Sequence, residues 1–400
     1  MKTVPGPEAG RESESVRMGS RVTIVGAGIV GAACARALAR GGATVTVIES
    51  RFPGGGATAA GMGHVVVMDD SPAQLALTSR SRQLWAELAA ELPADAEYRR
   101  AGTLWVAADD DEMAEARRKE QLLAAAGIAG RTLSAAELAR AEPHLRPGLA
   151  GGLLVPDDAV LYPPPVAGWM LADAVRHGAT LLRESPVAAV AGPTLAPGSV
   201  RLADGRVLGA DVVIVATGVA AADLVPGVPV RPRKGHLVIT DRMPGFVSHQ
   251  LIELGYVKRA HDVGTDSVAF NVQPRATGQL LVGSSRQIDV TSRDVDPAIL
   301  RQMLDRCIAY MPDIARVPAI RTWTGFRAAA PDGLPLVGPW PALPGVWLAT
   351  GHEGLGITTS LATAEIVAAA LVGTPTALDV RPLLPARFAA GTHRTEQLHA

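Results

Sequence analysis

The stretch from Arg21 to Glu49 constrains this chain more than any other. Arg21–Val25 (RVTIV) is a short β-branched run that passes straight into Gly26-Ala27-Gly28-Ile29-Val30-Gly31. Ile29–Arg40 is rich in Ala and Leu, which predicts a helix, and Gly41-Gly42 stops it. Thr44–Ile48 (TVTVI) is a second β-branched run and ends at Glu49. Strand, helix and strand in that order make a right-handed β-α-β unit and hence a parallel sheet. Each glycine has a separate task. Gly26 permits the tight turn, Gly28 lets backbone approach a pyrophosphate, and Gly31 lets helix and strand pack closely. The pyrophosphate then meets the positive end of the helix dipole. Glu49 can accept hydrogen bonds from ribose hydroxyls and would repel a 2′-phosphate. The alternative, a glycine turn with no ligand, accounts for Gly26 but not for the spacing through Glu49.

At 400 residues the chain has room for two to three domains, and 48% apolar against 19% charged residues describes a globular core-former. Parallel-strand signals recur at Asp211–Gly218 (DVVIVATG) and at Val346–Ala349 before a Gly351–Gly356 loop and a closing helix over 357–372. Between them, HLVIT, SVAFNV and QLLVGSS alternate with turns, which predicts an antiparallel sheet. Helices are expected over 73–92, 110–126, 166–177 and 297–311, with a capping box at Ser134 and Glu137. Gly54–Gly63 reads as a flexible loop, and Pro163–Pro165 as a crossing segment. The expected fold is α/β (α+β overall). A Rossmann-like doubly wound domain takes 21–75, 152–228 and 322–388, and a substrate domain with an antiparallel sheet takes 76–151 and 229–321. Tails of 1–20 and 389–400 flank them.

Thirty-eight basic and 39 acidic side chains leave a formal charge of −1, so no overall pull toward nucleic acid is expected. Two cysteines, Cys34 and Cys307, are too few for a disulfide framework, a Cys-rich zinc site or an iron–sulfur site, and no metal is expected. No run reaches membrane-span length, and the first 20 residues lack the apolar core of a secretory signal. The expectation is a cytoplasmic protein, with peripheral attachment to an inner membrane as the variant.

Both nicotinamide and flavin dinucleotides use the β-α-β fold. Here the second strand leads into a glycine loop suited to lie along an extended cofactor. The chain end then supplies a second strand–Gly loop–helix. That helix N-terminus suits a flavin ring, whose N1–C2 carbonyl edge gains negative charge on reduction.

These pieces together resemble the D-amino-acid oxidase family of flavoproteins, in its glycine oxidase, sarcosine oxidase and hydrogen cyanide synthase branch. The resemblance covers residues 21–388 and rests on VTIVGAGIVGAACARALARGGATVTVIE, GGGATAAGMGH, PDDAVLYPPPVAGWMLADAVRHGA, ADVVIVATG, RPRKGHLVIT, TWTGFRAAAPDGLPLVGP and ATGHEGLGITTSLATAEIVAAAL. The middle stretches also resemble dehydrogenases of D-proline and cis-4-hydroxy-D-proline. The resemblance implies the D-amino-acid oxidase/glutathione-reductase-like fold and a bound FAD, covalent or not. It implies that Gly26, Gly28, Ile29, Val30 and Gly31 hold the pyrophosphate and that Glu49, Ser50 and Arg51 meet the adenosine end. Thr58, Ala59, Gly61 and Met62 would lie along the cofactor, Val187 would pair with adenine, and Thr217-Gly218 would close over it. Gly351, His352, Gly354, Gly356, Ile357 and Thr358 would face the flavin ring.

The chemistry implied is hydride transfer from the α-carbon of a small D- or cyclic amino acid. Arg327, in Thr324-Gly-Phe-Arg327, matches the family's carboxylate-binding arginine; the alternative is a structural arginine paired with Asp332. Relatives often have His-Phe-Arg where this chain has His352-Glu353, so Glu353 either contacts a substrate ammonium or caps the last helix. Relatives often place a tyrosine near Asn271, a role Tyr256 would have to take here. His64 either touches substrate, carries the flavin or is a core residue; Lys234 and His236 read as strand-fixing. Four readings follow: amino-acid oxidase or dehydrogenase, flavin subunit passing electrons to a quinone or partner subunit, nicotinamide enzyme, and noncatalytic flavin protein. Colour and bleaching separate them.

Overall fold

The computed structural model describes residues 19–192, 195–255, 266–373 and 376–388. Residues 1–18 of the expected tail 1–20, the whole expected tail 389–400, and Tyr256 lie outside the described residues.

The opening unit forms as read: β1 (Arg21–Val25), α1 (Ile29–Arg40) and β2 (Thr44–Ile48), with β1 and β2 parallel from Arg21↔Thr44 to Val25↔Ile48. Among the described residues they sit in a six-stranded sheet ordered Leu336–Pro339, Val346–Thr350, Val212–Val215, β1, β2, Thr180–Leu182. All its neighbours are parallel except Leu336–Pro339, which closes one edge antiparallel. The β-branched runs work here because both faces are covered. One face packs Ile24 and Val47 against Leu38 of α1, Met170 of helix Pro163–Arg176 and Val367 of helix Gly356–Val372. The other packs Val213, Val215 and Leu348 against a three-stranded antiparallel layer carrying Val190 and Val200.

The second sheet has nine strands, ordered His352–Glu353, Ala319–Ala329, Arg231–Thr240, Leu280–Ile288, Ser267–Pro274, Gln250–Glu253, Thr103–Ala107, Gly151–Val155, Arg131–Ser134. One face is covered by helix Pro297–Tyr310, where Met303 and Tyr310 bury against Phe270 and Val238. The other face roofs the cavity described below. Ser134 and Glu137 form the expected capping box, and Ser71, Asp109 and Asp296 cap their helices through side-chain oxygens.

Three expectations differ from the structure. Pro163 and Pro164 do not cross between units; they open a helix, where the missing N–H costs nothing. Gly54–Gly63 is not all loop, because Gly56–Ala60 makes a short helix. Strand Ala319–Ala329 belongs wholly to the nine-stranded sheet and Gly151–Val155 joins it too, so the expected boundaries at 152 and 322 cut through strands.

Candidate functional site

Two glycines of the first turn, Gly26 and Gly31, leave no room for a side chain. Gly26 has φ +103°, and a Cβ there would lie 2.6 Å from the Ala216 carbonyl oxygen. A Cβ on Gly31 would lie 2.0 Å from the Gly26 oxygen, so α1 can rest on β1 only with Gly31 bare. Gly28 begins α1 without a side-chain cap. The Ile29 N–H donates to Thr58 Oγ1 at 3.0 Å, which docks the Gly56–Ala60 helix on the turn. Glu49 braces the same turn. Its carboxylate accepts from Ala27 N–H and Arg51 N–H, each at 2.9 Å, and from Ser50 Oγ at 3.2 Å.

From this turn a cavity of about 920 Å³ runs between the two sheets to the N-terminus of helix Gly356–Val372. That is the upper end of the ~300–1,000 Å³ usual for ligand pockets, room for an extended cofactor and a small molecule beside it. Val187, Thr217 and Gly218 line it, as do Gly351, His352, Gly354, Gly356 and Ile357 at the end by the closing helix. Thr217 Oγ1 is buried with no hydrogen-bond partner among the described residues, as suits a hydroxyl waiting for a ligand. The closing helix again starts without a side-chain cap, at Leu355, so both ends of the cavity meet a helix N-terminus.

The far end carries the charge. Arg327 lies with its guanidinium over Gly235, where a Cβ would come within 2.8 Å of Nη1, and beside Gly354, where a Cβ would be 3.6 Å from Nε. Its Nη1 donates to the Ser285 carbonyl at 2.9 Å. Asp332 does not hold it; that carboxylate takes Arg387 instead. Arg233 stands directly opposite Arg327 in strand register. Glu353 Oε1 sits 3.5 Å from Arg233 Nη1 and 3.4 Å from Arg286 Nη2, while Oε2 accepts from Gly354 N–H. Burial alone would raise the Glu353 carboxyl, but Arg286, Arg327 and Arg233 outweigh it and hold it below its ordinary value. Glu353 adopts φ +51°, a left-handed conformation that a non-glycine residue keeps only where its surroundings enforce it.

His64 lies close by on the cavity wall. Burial, with Arg327 adding to it, pushes its imidazole down to about 4, so it is neutral near pH 7. Its Nε2 has no hydrogen-bond partner among the described residues, and neither has Asn271 Oδ1. His352 is also pushed down to about 4 by burial, but its Nε2 is taken by Thr363 Oγ1 at 3.0 Å.

Ile29, Val30, Ser50, Arg51, Gly61 and Met62 also face the cavity. Two residues do not. Ala59 is on the exposed side of its short helix, and Thr358 is fully buried, donating to the His64 carbonyl at 2.9 Å. Lys234 and His236 are buried; His236 takes Asp296 N–H on Nε2 and meets Ser285 Oγ through Nδ1, which fixes strands. The sequence reading missed Arg233, Arg286 and Gly235. The two-residue period of RPRKGHL already puts Arg233, Gly235 and Leu237 on one face, but nothing local says that face meets Arg327.

A bed of this length, open to a nucleotide at one end and to a ring edge at the other, fits a flavin dinucleotide. Over residues 21–370 the chain matches the family of FAD dependent oxidoreductases (DAO), and it belongs to that family. It is an FAD-dependent oxidoreductase. It is 29% identical to the hydrogen cyanide synthase subunit HcnC of Pseudomonas aeruginosa, covering 92% of this chain and 96% of that one. It is 27% identical to the glycine oxidase of Geobacillus kaustophilus, covering 90% and 95%. The crystal structure of that glycine oxidase superposes with a TM-score of 0.82 at 26% identity, covering 92% and 99%. No helix of the described residues is long and apolar enough to cross a membrane.

Proposed function

We propose that the chain oxidises a small amino acid at its amine-bearing carbon. The observation that carries this is Arg327, a planar guanidinium fixed between Gly235 and Gly354 over the end of the cofactor bed. Such a fork orients a carboxylate, and with it the adjacent α-hydrogen. When bound, FAD supplies the two-electron acceptor that takes that hydrogen as a hydride and leaves the substrate an imine, which water then hydrolyses. The protein's own task is to hold the amine neutral and aimed. Asn271 Oδ1, an acceptor, and Nε2 of the neutral His64, a donor or acceptor by tautomer, are buried on the cavity wall without a partner among the described residues, and are the groups we assign to the amine. The uncapped helix N-terminus at Gly356 favours negative charge gathering at the ring edge. Gly325, pressed so close that a Cβ would sit 2.5 Å from Ala60 Cβ, brings the sheet down on the bed.

D-Proline and cis-4-hydroxy-D-proline are the narrower substrates suggested by the sequence, and glycine or sarcosine the alternatives, supported by the likeness to glycine oxidases. The likeness to a protein described as a synthase subunit supports delivery of electrons to a partner subunit, and the likeness to glycine oxidases supports delivery to oxygen; a quinone is the remaining acceptor suggested by the sequence. The test is the visible spectrum of the purified protein, followed anaerobically as each amine is added. A flavin spectrum that bleaches with an α-amino acid, and not with the matching amine lacking a carboxylate, is expected. Readmitting air then separates oxidase from dehydrogenase. A flavin that no amino acid bleaches would refute the reading.

A further inference from the structure

His236 reaches Arg327 through Ser285, from the opposite face of the sheet. Strand Arg231–Thr240 alternates its faces, so Arg233, Gly235 and Leu237 share the cavity face while the His236 ring turns to Asp296 at the start of helix Pro297–Tyr310. Between this strand and Leu280–Ile288 the pairing is irregular. Lys234 stands opposite Gln287 and Val238 opposite Val282, so Leu280–Ile288 carries one residue more between those two pairs. Such an extra residue disrupts the ladder locally and re-aims what lies beside it. Inside the irregularity His236 N–H donates to Ser285 Oγ at 2.9 Å, and the Ser285 carbonyl accepts from Arg327 Nη1 at 2.9 Å. Ser285 therefore meets the histidine with its side chain and the arginine with its backbone.

The remaining contacts of the histidine fix its tautomer. Asp296 N–H donates to Nε2 at 2.9 Å, and a backbone N–H can only donate, so Nε2 bears no hydrogen. The hydrogen of the neutral ring is then on Nδ1, which donates to the same Ser285 Oγ at 2.9 Å. Burial, with Lys234 and Arg327 adding to it and Asp296 opposing, holds the imidazole below its ordinary pKa and so in that form. Ser285 Oγ thus accepts twice from one residue, and both residues are buried. Asp296 is anchored in its turn. One of its oxygens caps the helix at Ala298 and Ile299 N–H, and the other accepts from Gln287 Nε2 at 3.2 Å. A continuous run of contacts leads from the helix start through His236 and Ser285 to the guanidinium.

We infer that His236 and Ser285 are positioning residues for Arg327. They hold the carbonyl that helps to aim its fork, and they thereby set the affinity of the cavity for a carboxylate. The inference rests on the reading of Arg327 as the group that orients the substrate carboxylate, and it deepens that reading.

The experiment uses the full-length flavin-loaded protein with acetate and acetamide as probes, close in size and different in charge. Each is titrated against the visible flavin spectrum, and a thermal melt accompanies every variant. Ser285→Ala removes the oxygen that His236 grips and keeps the carbonyl. Its acetate Kd should rise about 10-fold, the lower end for a charged hydrogen bond, while acetamide should change by less than about twofold. Ser285→Thr keeps an oxygen there and should bring acetate back to within about threefold of the parent. His236→Leu should act as Ser285→Ala does, and the double variant should bind acetate no more weakly than the weaker single, because both break one run of contacts. Acetate affinity unchanged in Ser285→Ala would overturn the inference. So would a loss of both probes in proportion, which is what a merely structural role produces. A parent that binds acetate no better than acetamide would remove the carboxylate reading of Arg327, and the inference with it. A flavin that no amino acid reduces would refute amine oxidation, and the acetate comparison would still decide the positioning role.

Discussion

Gly235→Ala isolates the placement of Arg327 from its chemistry. Gly235 is in strand Arg231–Thr240 and outside the positive-φ region, so alanine meets no backbone penalty there. Removing a glycine from a strand should by itself stabilise the fold, by about 0.4–1 kcal/mol. The added Cβ, however, would lie 2.8 Å from Arg327 Nη1, 2.9 Å from Nη2 and 3.0 Å from Cζ, where ordinary contact begins at 3.4 Å. The guanidinium must therefore lift by about 0.6 Å, the difference between 3.4 and 2.8 Å. Gly354 limits escape on the Nε side, and the Ser285 carbonyl tethers Nη1. A misplacement of ~1 Å can cost on the order of 100-fold in rate, so a shift this size should cost on the order of 10-fold in kcat/KM for carboxylated amines. The assay pairs anaerobic flavin reduction with a thermal melt. Activity should fall while Tm holds or rises, a combination that general misfolding does not produce. A kcat/KM within twofold of the parent would refute the argument that Arg327 works from this position.

Other expectations follow from the same geometry. Arg327→Lys keeps the charge but loses the fork, and kcat/KM should drop on the order of 100-fold with the flavin spectrum retained; a loss under threefold would count against carboxylate binding there. Glu49→Gln removes the charge that braces Ala27 and Arg51, and FAD should dissociate about 10-fold more readily, read from the fluorescence of released flavin. Gly63→Ala combines φ +101° with a Cβ 1.8 Å from the Leu161 oxygen, and should destabilise by ~3 kcal/mol or more in a denaturant melt. His64 and His352 are each depressed to about 4, so the unfolded chain binds protons first as pH falls. Stability should then be lost between about pH 6.5 and 4, by up to ~3 kcal/mol for each imidazole, and His64→Gln should flatten that slope. The same depression means that no protonation of His64 should appear in the rate profile between about pH 5 and 8.

Much of the nucleotide end was legible because it is local. The turn from Gly26 to Gly31, the two strands and Glu49 lie within one β-α-β unit, and each position is dictated by sterics or charge inside that unit. The closing strand–loop–helix at 346–372 was readable for the same reason. The substrate end was not, because its parts come together only through sheet register. Arg327 stood out by its family motif, whereas Arg233 and Arg286 gave no local sign that they face it. The pairing of Thr103–Ala107 with Gln250–Glu253 on one side and with Gly151–Val155 on the other likewise joins strands far apart in the chain. Pro163–Pro165 misled because proline marks both chain crossings and helix starts.

The short pairing of His352–Glu353 with Ala328–Ala329 has a mechanical meaning. Within the ten residues after Val346 the chain leaves the parallel sheet, stitches itself to the rim of the antiparallel one, and enters the closing helix. The two sheets are thus pinned together at the charged end of the cavity. They cannot swing apart there as two jaws without first undoing that stitch and the ion pairs of Glu353. Opening at this end by a jaw-like motion would cost at least those contacts, whereas movement of side chains and loops would leave them intact.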